Sequence, residues 1–122
     1  MQLSNSFHEE CRIRLIEAKR NLLEQLHNHR LDFNNRDFKG DEADLSTSVL
    51  QENQLLASQQ RMRERLLDIE KALARLQMGT YGFCEETEEP IEPERLRALP
   101  WTSLSIEGAE IRESLTRKSR RA

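Results

Sequence analysis

The fold of this chain is decided by the stretch Gly79-Thr80-Tyr81-Gly82-Phe83-Cys84-Glu85-Glu86-Thr87. Within it, Cys84 and Thr87 stand at the spacing of a C-x-x-C pair, with threonine in the second place. Further along, Ser105 and Gly108 keep the same spacing without any cysteine. A structural zinc ion is held by about four thiolate or imidazole ligands, and these positions supply one. Either the metal is gone and packing holds the fold, or the pattern is chance.

The composition is typical of long, solvent-exposed helices rather than of a thick globular core. Charged residues make up 34% of the 122 residues and aromatic residues only 5%. The net charge of −3 argues against a nucleic-acid-binding protein, which usually carries a basic face. Two cysteines are too few for a disulfide scaffold, no apolar run approaches the ~20 residues that cross a membrane, and residues 1–6 lack a signal-peptide pattern. These features predict a soluble, cytoplasmic protein.

A first helix is predicted from about Ser6 to Asn34, because residues that suit a helix–helix contact recur at steps of three and four along one face. Ser4 or Ser6 can cap this helix, and Glu9 follows Ser6 at the spacing of a capping box. The residues of the face are Phe7, Cys11, Leu15, Ala18, Leu22, Leu26, His29 and Phe33.

A second helix is predicted from about residue 44 to 78, after a loop rich in Asn, Asp and Gly. Asp44 or Ser46 can cap its start, and Gly79 stands where a helix C-terminus favours positive φ. Alternating steps of four and three residues predict a coiled-coil seam. The seam comprises Met62, Leu66, Ile69, Leu73 and Leu76, and it continues toward the loop through Leu55 and the polar Gln59 and Glu52.

Two helices of ~30 residues, each ~45 Å long, joined by a short loop make an antiparallel hairpin. We therefore predict a mainly α protein in three parts: residues 1–78 as the hairpin with its tip at about 35–46, residues 79–106 as a compact module, and residues 107–122 as a C-terminal helix. The apolar residues expected to hold the module together are Tyr81, Phe83, Ile91, Leu96, Leu99, Trp101, Leu104 and Ile106.

This arrangement resembles the DksA/TraR family of bacterial regulators that bind RNA polymerase. Members of that family have a coiled-coil hairpin, a module with a four-cysteine zinc finger, and a C-terminal helix. The finger begins G-x-Y-G-x-C-x-x-C and continues with an isoleucine, R-L-x-A-x-P and a second C-x-x-C. The matching residues here are Gly79, Tyr81, Gly82, Cys84, Ile91, Arg95, Leu96, Ala98 and Pro100.

Three of the family's four ligand positions depart from cysteine: they hold Thr87, Ser105 and Gly108 beside Cys84. We therefore expect no bound zinc, as in the zinc-less members that the chain resembles. Burying one large aromatic side chain contributes ~1.5–3 kcal/mol, and a structural zinc contributes several times that. Several packed residues must then share the role of the metal.

The resemblance also implies a functional hairpin tip. The family carries two aspartates there in a D-x-x-D-x-A motif, and the matching residues are Asp41, Asp44 and Ser46. By resemblance, this tip enters the secondary channel of RNA polymerase and modulates initiation, as in the stringent response. From the sequence alone, helix capping is the simpler interpretation of the aspartates. Ser46 in place of alanine brings a hydroxyl whose desolvation costs ~1–3 kcal/mol if it is unpaired. We therefore expect either altered potency or binding without the family's usual effect.

The family's best-known members also bind guanosine tetraphosphate through basic residues. The matching positions hold Asp68, Leu99 and Ala109, so we expect weak or no synergy with this alarmone. No Ser/His/Asp constellation or Gly-rich phosphate loop indicates an enzyme. The expected partner is bacterial RNA polymerase, bound by a monomer without specific nucleic acid or membrane. One alternative stays open: a coiled-coil adaptor or self-associating protein. A transcript-cleavage cofactor also uses an acidic hairpin tip, but the remnant of the DksA-type finger argues against it.

Overall fold

The computed structural model describes residues 4–34 and 42–121 as four helices with turns between them. The helices are α1 (Asn5–Asn34), α2 (Glu42–Met78), α3 (Pro93–Ala98) and α4 (Ile106–Arg121). The mainly α prediction is therefore confirmed. The short helix α3 was not predicted from the sequence, because six residues are too few to display a helical period. None of the helices in the described ranges has an apolar stretch long enough to cross a membrane.

Helices α1 and α2 pack against each other in an antiparallel hairpin. An ion pair of 2.7 Å joins Lys19 Nζ to Glu70 Oε1 across the pair, while nearer the base Ile16 lies beside Leu73 around one groove. Every predicted seam residue whose side chain is described is buried or half-buried, including Gln59, which is 8% exposed. The coiled-coil prediction therefore agrees with the observed burial.

The ends of α1 and α2 near the module are closed by backbone and side-chain hydrogen bonds. Ser4 Oγ accepts from the Phe7 N–H at 3.2 Å, so Ser4 is the N-cap of α1 and Ser6 lies in its first turn. Glu9 pairs with Arg12 instead of completing a capping box. At the other end, Gly79 has φ of +80° and the Thr80 N–H donates to the Arg75 carbonyl at 2.9 Å, as in a Schellman motif.

The start of α2 corrects one prediction about the tip. The helix begins at Glu42, so Asp44 and Ser46 lie inside it and neither is its N-cap. Acidic residues in a first turn favour this earlier start, because they interact well with the positive end of the helix dipole. Asp41 lies outside the described residues, as does the side chain of Asp44.

One continuous core joins the base of the hairpin to the module. Two members of the predicted apolar set are exposed: Phe83 to 42% and Ile106 to 52%. Phe83 pairs with Pro90 in an isolated bridge, Ile106 is the first residue of α4, and neither side chain belongs to the core. The buried core residues are Phe7, Cys11, Leu15, Ile69, Ala72, Tyr81, Cys84, Ile91 and Leu96.

Candidate functional site

The first half of the candidate site is a tight turn that carries Cys84 and Thr87. Phe83 and Pro90 close this turn with an isolated antiparallel bridge. The Glu88 N–H donates to the Cys84 carbonyl at 2.9 Å, and Glu88 adopts a left-handed φ of 62°. This backbone conformation is uncommon for a residue other than glycine. The turn thus brings the Cys84 sulfur beside the start of α4, where it hydrogen-bonds to Ser105, while its other partner, Thr87, lies on the same turn.

The second half of the site is the N-terminus of α4. Ser105 Oγ accepts a hydrogen bond from the Gly108 N–H at 3.0 Å, so Ser105 caps the helix. A Cβ placed on Gly108 would overlap the Sγ of Cys84 and lie 3.3 Å from Ser105 Oγ. The four positions that match the ligand positions of the family's zinc finger are therefore brought together. We refer to Cys84, Thr87, Ser105 and Gly108 as the four-position site.

The Cys84 thiol has an unusual electrostatic environment. Burial alone would raise the pKa of this thiol, whose side chain is 2% exposed. Hydrogen bonds from the hydroxyls and backbone N–H groups of Ser105 and Thr87 outweigh that effect and lower the pKa to about 6. The N-terminus of α4 favours the thiolate in the same direction.

The residues of the four-position site do not fit a zinc ion. They offer one sulfur, two hydroxyls that already hydrogen-bond to that sulfur, and a glycine without a side chain. Structural zinc sites use four thiolate or imidazole ligands, occasionally a carboxylate. Within the described residues, no group of three His, Cys, Asp or Glu side chains is placed to hold a metal ion. The absence of zinc from the purified protein remains a prediction.

Polar contacts around the four-position site tie its two halves together. The Arg112 guanidinium donates to Glu86 Oε1 at 2.8 and 3.0 Å, which links α4 to the turn. Arg95 Nε donates to the Leu104 carbonyl at 2.7 Å, and the Glu92 carboxylate accepts from the Ile106 N–H at 3.3 Å. These contacts could not be predicted from the sequence, because they depend on the position of α4 and produce no local sequence pattern.

A second group of contacts fixes the module to the hairpin. Tyr81 Oη donates to the Pro100 carbonyl at 2.8 Å, and Tyr81 also hydrogen-bonds to the Cys11 thiol of α1. Burial, followed by that contact, raises the pKa of Tyr81. Arg14 donates to the Arg97 carbonyl at 2.6 Å. The module is therefore held in one orientation at the base of the hairpin.

The only tryptophan of the chain contributes to the same junction. Trp101 is half-buried and packs against the core. The Arg65 guanidinium lies 4.2 Å from the centre of its ring, within the range of a cation–π interaction. Trp101 was predicted as a packing residue, and its contact with Arg65 depends on tertiary placement.

The predicted tip lies at the other end of the hairpin from the four-position site. Ser46 is exposed near the start of α2, and Asp44 lies in the first turn. The 37 residues of α2 correspond to a length of ~55 Å at 1.5 Å per residue. The positions matched to the alarmone site hold no cation: Asp68 is exposed, whereas Leu99 and Ala109 are half-buried.

Comparison with known proteins finds relatives for both the module and the whole fold. Residues 79–114 match the family model of the prokaryotic dksA/traR C4-type zinc finger. The RNA polymerase-binding transcription factor DksA of Caulobacter vibrioides is 39% identical over 80 residues, which is 66% of this chain. That match spans 56% of the length of the Caulobacter protein.

Two solved structures have the same architecture. Transcription factor DksA2 from Pseudomonas aeruginosa superposes with a TM-score of 0.81 at 31% identity, over 93% of this chain and 88% of that one. The DnaK suppressor protein from Agrobacterium tumefaciens superposes with a TM-score of 0.57 at 25% identity, over 90% of this chain and 96% of that one.

Proposed function

The chain belongs to the DksA/TraR family, and on this basis we propose that it is a transcription regulator that binds RNA polymerase. In this proposal the hairpin tip, with Asp41, Asp44 and Ser46, enters the secondary channel of the polymerase. There it modulates initiation in the manner of a stringent-response regulator. The protein acts as a monomer, is not an enzyme, and works without zinc.

The observation that carries the proposal is the fixed orientation of the module relative to the hairpin. Arg14 of α1 donates to the Arg97 carbonyl of the module, and Tyr81 of the module hydrogen-bonds to the Cys11 thiol of α1, so the hairpin extends from the module in one direction. A helix of ~55 Å then presents acidic residues far from the module. Carboxylates delivered into a narrow channel can act on a Mg²⁺ ion or a basic side chain there, since charges interact strongly where water is excluded.

The proposal that zinc is dispensable rests on the four-position site. Cys84 is satisfied by hydrogen bonds, and the Arg112–Glu86 pair links the two halves that a metal would otherwise join. By resemblance to the family, Asp68 stands where a basic residue would meet guanosine tetraphosphate. We therefore propose weak or absent synergy with the alarmone.

The test combines polymerase binding with transcription from a ribosomal RNA promoter. The variant Asp41→Asn with Asp44→Asn should lose binding and the effect on initiation, because both carboxylates are neutralised. Glu17→Gln with Glu24→Gln makes the same charge change at exposed sites on α1 and should behave as the parent. A competitor that occupies the channel should displace the parent protein. Equal activity of the tip variant and the parent would refute the proposal.

The coiled-coil adaptor is the second candidate, favoured only by the polar residues in the seam. Gln59 and the other seam residues of α2 already face α1, so a partner helix would have to use another surface. Light scattering separates the two candidates. A stable dimer without affinity for polymerase would support the adaptor, and a monomer that binds polymerase would support the regulator.

A further inference from the structure

The hairpin has two broad faces, and the arginines that contact the module lie on one of them. Three of the arginines through which α1 and α2 contact the module each come one position before a seam residue. These residues are Arg14, before Leu15, and Arg65 and Arg75, before Leu66 and Leu76. Because positions on either side of a seam point to opposite sides of a helix pair, residues one position after the seam lie on the other face. We call this other side the free face.

The free face contains a pocket of about 140 Å³ partway toward the tip. Arg30 of α1 and Arg63 of α2 line it, each one position after a seam residue. Leu26 and Leu56 supply apolar lining, and Gln59 supplies a nearly buried amide. Two arginines of facing helices therefore border one small concave site.

These two arginines differ from those around the module. Arg12, Arg14 and Arg112 each form an ion pair with a glutamate. Neither Arg30 nor Arg63 has an ion-pair partner among the residues that the structure describes, and both are exposed. Like charges brought together without a counter-charge repel each other. An anion between them would remove that repulsion and use donors that otherwise bond only to water.

We propose that this pocket binds a phosphoryl group. A guanidinium presents paired N–H donors that match phosphate oxygens, and two of them together suit a dianion. The Gln59 amide can donate a further hydrogen bond. Pockets that enclose a whole small-molecule ligand measure ~300–1,000 Å³. A pocket of about 140 Å³ therefore accepts one charged group, and the rest of any larger molecule stays outside it.

The site is separate from the positions that the family uses for its alarmone. Asp68 comes one position before the seam residue Ile69, so it lies on the side of the helix pair opposite Arg63. Leu99 and Ala109 belong to the module and α4. The proposed site also does not depend on polymerase binding, since every residue that forms it belongs to the isolated chain.

The test is a titration of the isolated full-length protein with inorganic phosphate at constant ionic strength, followed by NMR of the arginine Nε–Hε groups. Saturable shifts are expected for Arg30 and Arg63. Arg63→Gln and Arg30→Gln should each weaken binding at least tenfold, and Arg63→Lys should weaken it less because the charge is kept. Arg61→Gln removes an exposed arginine outside the pocket and should change the affinity less than twofold.

Two further arms identify the ligand. Adenosine 5′-monophosphate should bind if the phosphoryl group of an ester is accepted, and free phosphate alone should bind if the site takes only the inorganic ion. Either result supports the proposal. If acetate bound as tightly as phosphate, the proposal would be overturned, because the pocket would then bind a carboxylate of a protein rather than a phosphoryl group. Linear, non-saturating shifts shared by Arg61 would also overturn it, since they indicate charge screening alone.

Discussion

The Sγ of Cys84 occupies the space that a Cβ would take on Gly108. This contact joins the turn of the module to the first turn of α4 at the place where the family of this chain has a four-cysteine zinc finger. The sulfur reaches it because Gly108 has no side chain, and Ser105 and Thr87 hydrogen-bond to it there. The cysteine has thus become part of the packing between two halves that a metal joins elsewhere.

Gly108→Ala should destabilise the protein by about 1–2 kcal/mol, although alanine normally favours a helix by up to ~1 kcal/mol over glycine. The reason is that the added methyl group overlaps the Cys84 sulfur, and overpacking typically costs about 1–3 kcal/mol. Urea unfolding measures the change. In a Cys84→Ala background the same substitution should no longer destabilise. Equal effects in both backgrounds would show that the contact is unimportant.

The stability of the parent protein relative to Cys84→Ser should rise between pH 6 and pH 9. The folded thiol has a pKa of about 6, below its ordinary value of 9.0, so the unfolded chain binds more protons in this window. The contribution is complete above pH 9 and is lost as the pH falls through 6. Urea midpoints measured at each pH test this expectation. A difference between the two proteins that does not change with pH would contradict it.

Ser105→Ala should lower the free energy of unfolding by about 1 kcal/mol, because the Gly108 N–H loses its capping oxygen. The same change removes a hydrogen bond to Cys84, so the pKa of this thiol should rise. Thiolate absorbance against pH reports the second effect. Ser105→Thr keeps a hydroxyl and serves as the control. An unchanged thiol pKa in the alanine variant would exclude Ser105 as the partner.

Trp101→Ala should destabilise the protein by about 2–3 kcal/mol, somewhat less than the ~3–5 kcal/mol typical of a fully buried tryptophan. The half-buried ring packs on the core and carries Arg65 on its face. Phe83→Ala is the matched control, since its ring is 42% exposed and should cost below about 1 kcal/mol. Thermal unfolding compares them. A larger loss at Phe83 would overturn this assignment of the packing.

Replacing Thr87, Ser105 and Gly108 together by cysteine should create a zinc site. The turn and α4 already bring these positions beside Cys84, and four thiolates are a complete ligand set once the Cys84 sulfur turns away from the new Cβ at position 108 to bind the metal. Mass spectrometry under native conditions should detect one zinc per chain, and a chelator should lower the melting temperature of this variant alone. The parent protein provides the control. Failure of the triple variant to take up zinc would mean that the four positions do not form a metal-sized site.

The helices and the seam could be predicted because their signal is local. Periodic placement of apolar residues identifies a buried face wherever the helix packs, and Leu15 and Ile69 are fully buried as expected. The spacing around Cys84 left chance open, and only the resemblance to the family indicated which four positions to compare. Helix starts were less certain, because Asp44 suits both an N-cap and a first turn.

What depends on tertiary placement could not be predicted. Phe83 and Ile106 are as apolar as Ile91, but only the folded chain decides which of them face the core. The Arg112–Glu86 pair joins residues on different elements, and the pocket between Arg30 and Arg63 requires the register of the two helices. No pattern along the chain encodes such relationships directly.

The central claim is that a zinc-free member of the DksA/TraR family regulates RNA polymerase. The most direct measurement is the lifetime of open complexes at a ribosomal RNA promoter, with purified protein, in the presence and absence of a zinc chelator that leaves Mg²⁺ free. We predict that the protein changes the lifetime equally in both conditions. A lifetime that the protein leaves unchanged, or an effect that the chelator abolishes, would contradict the claim.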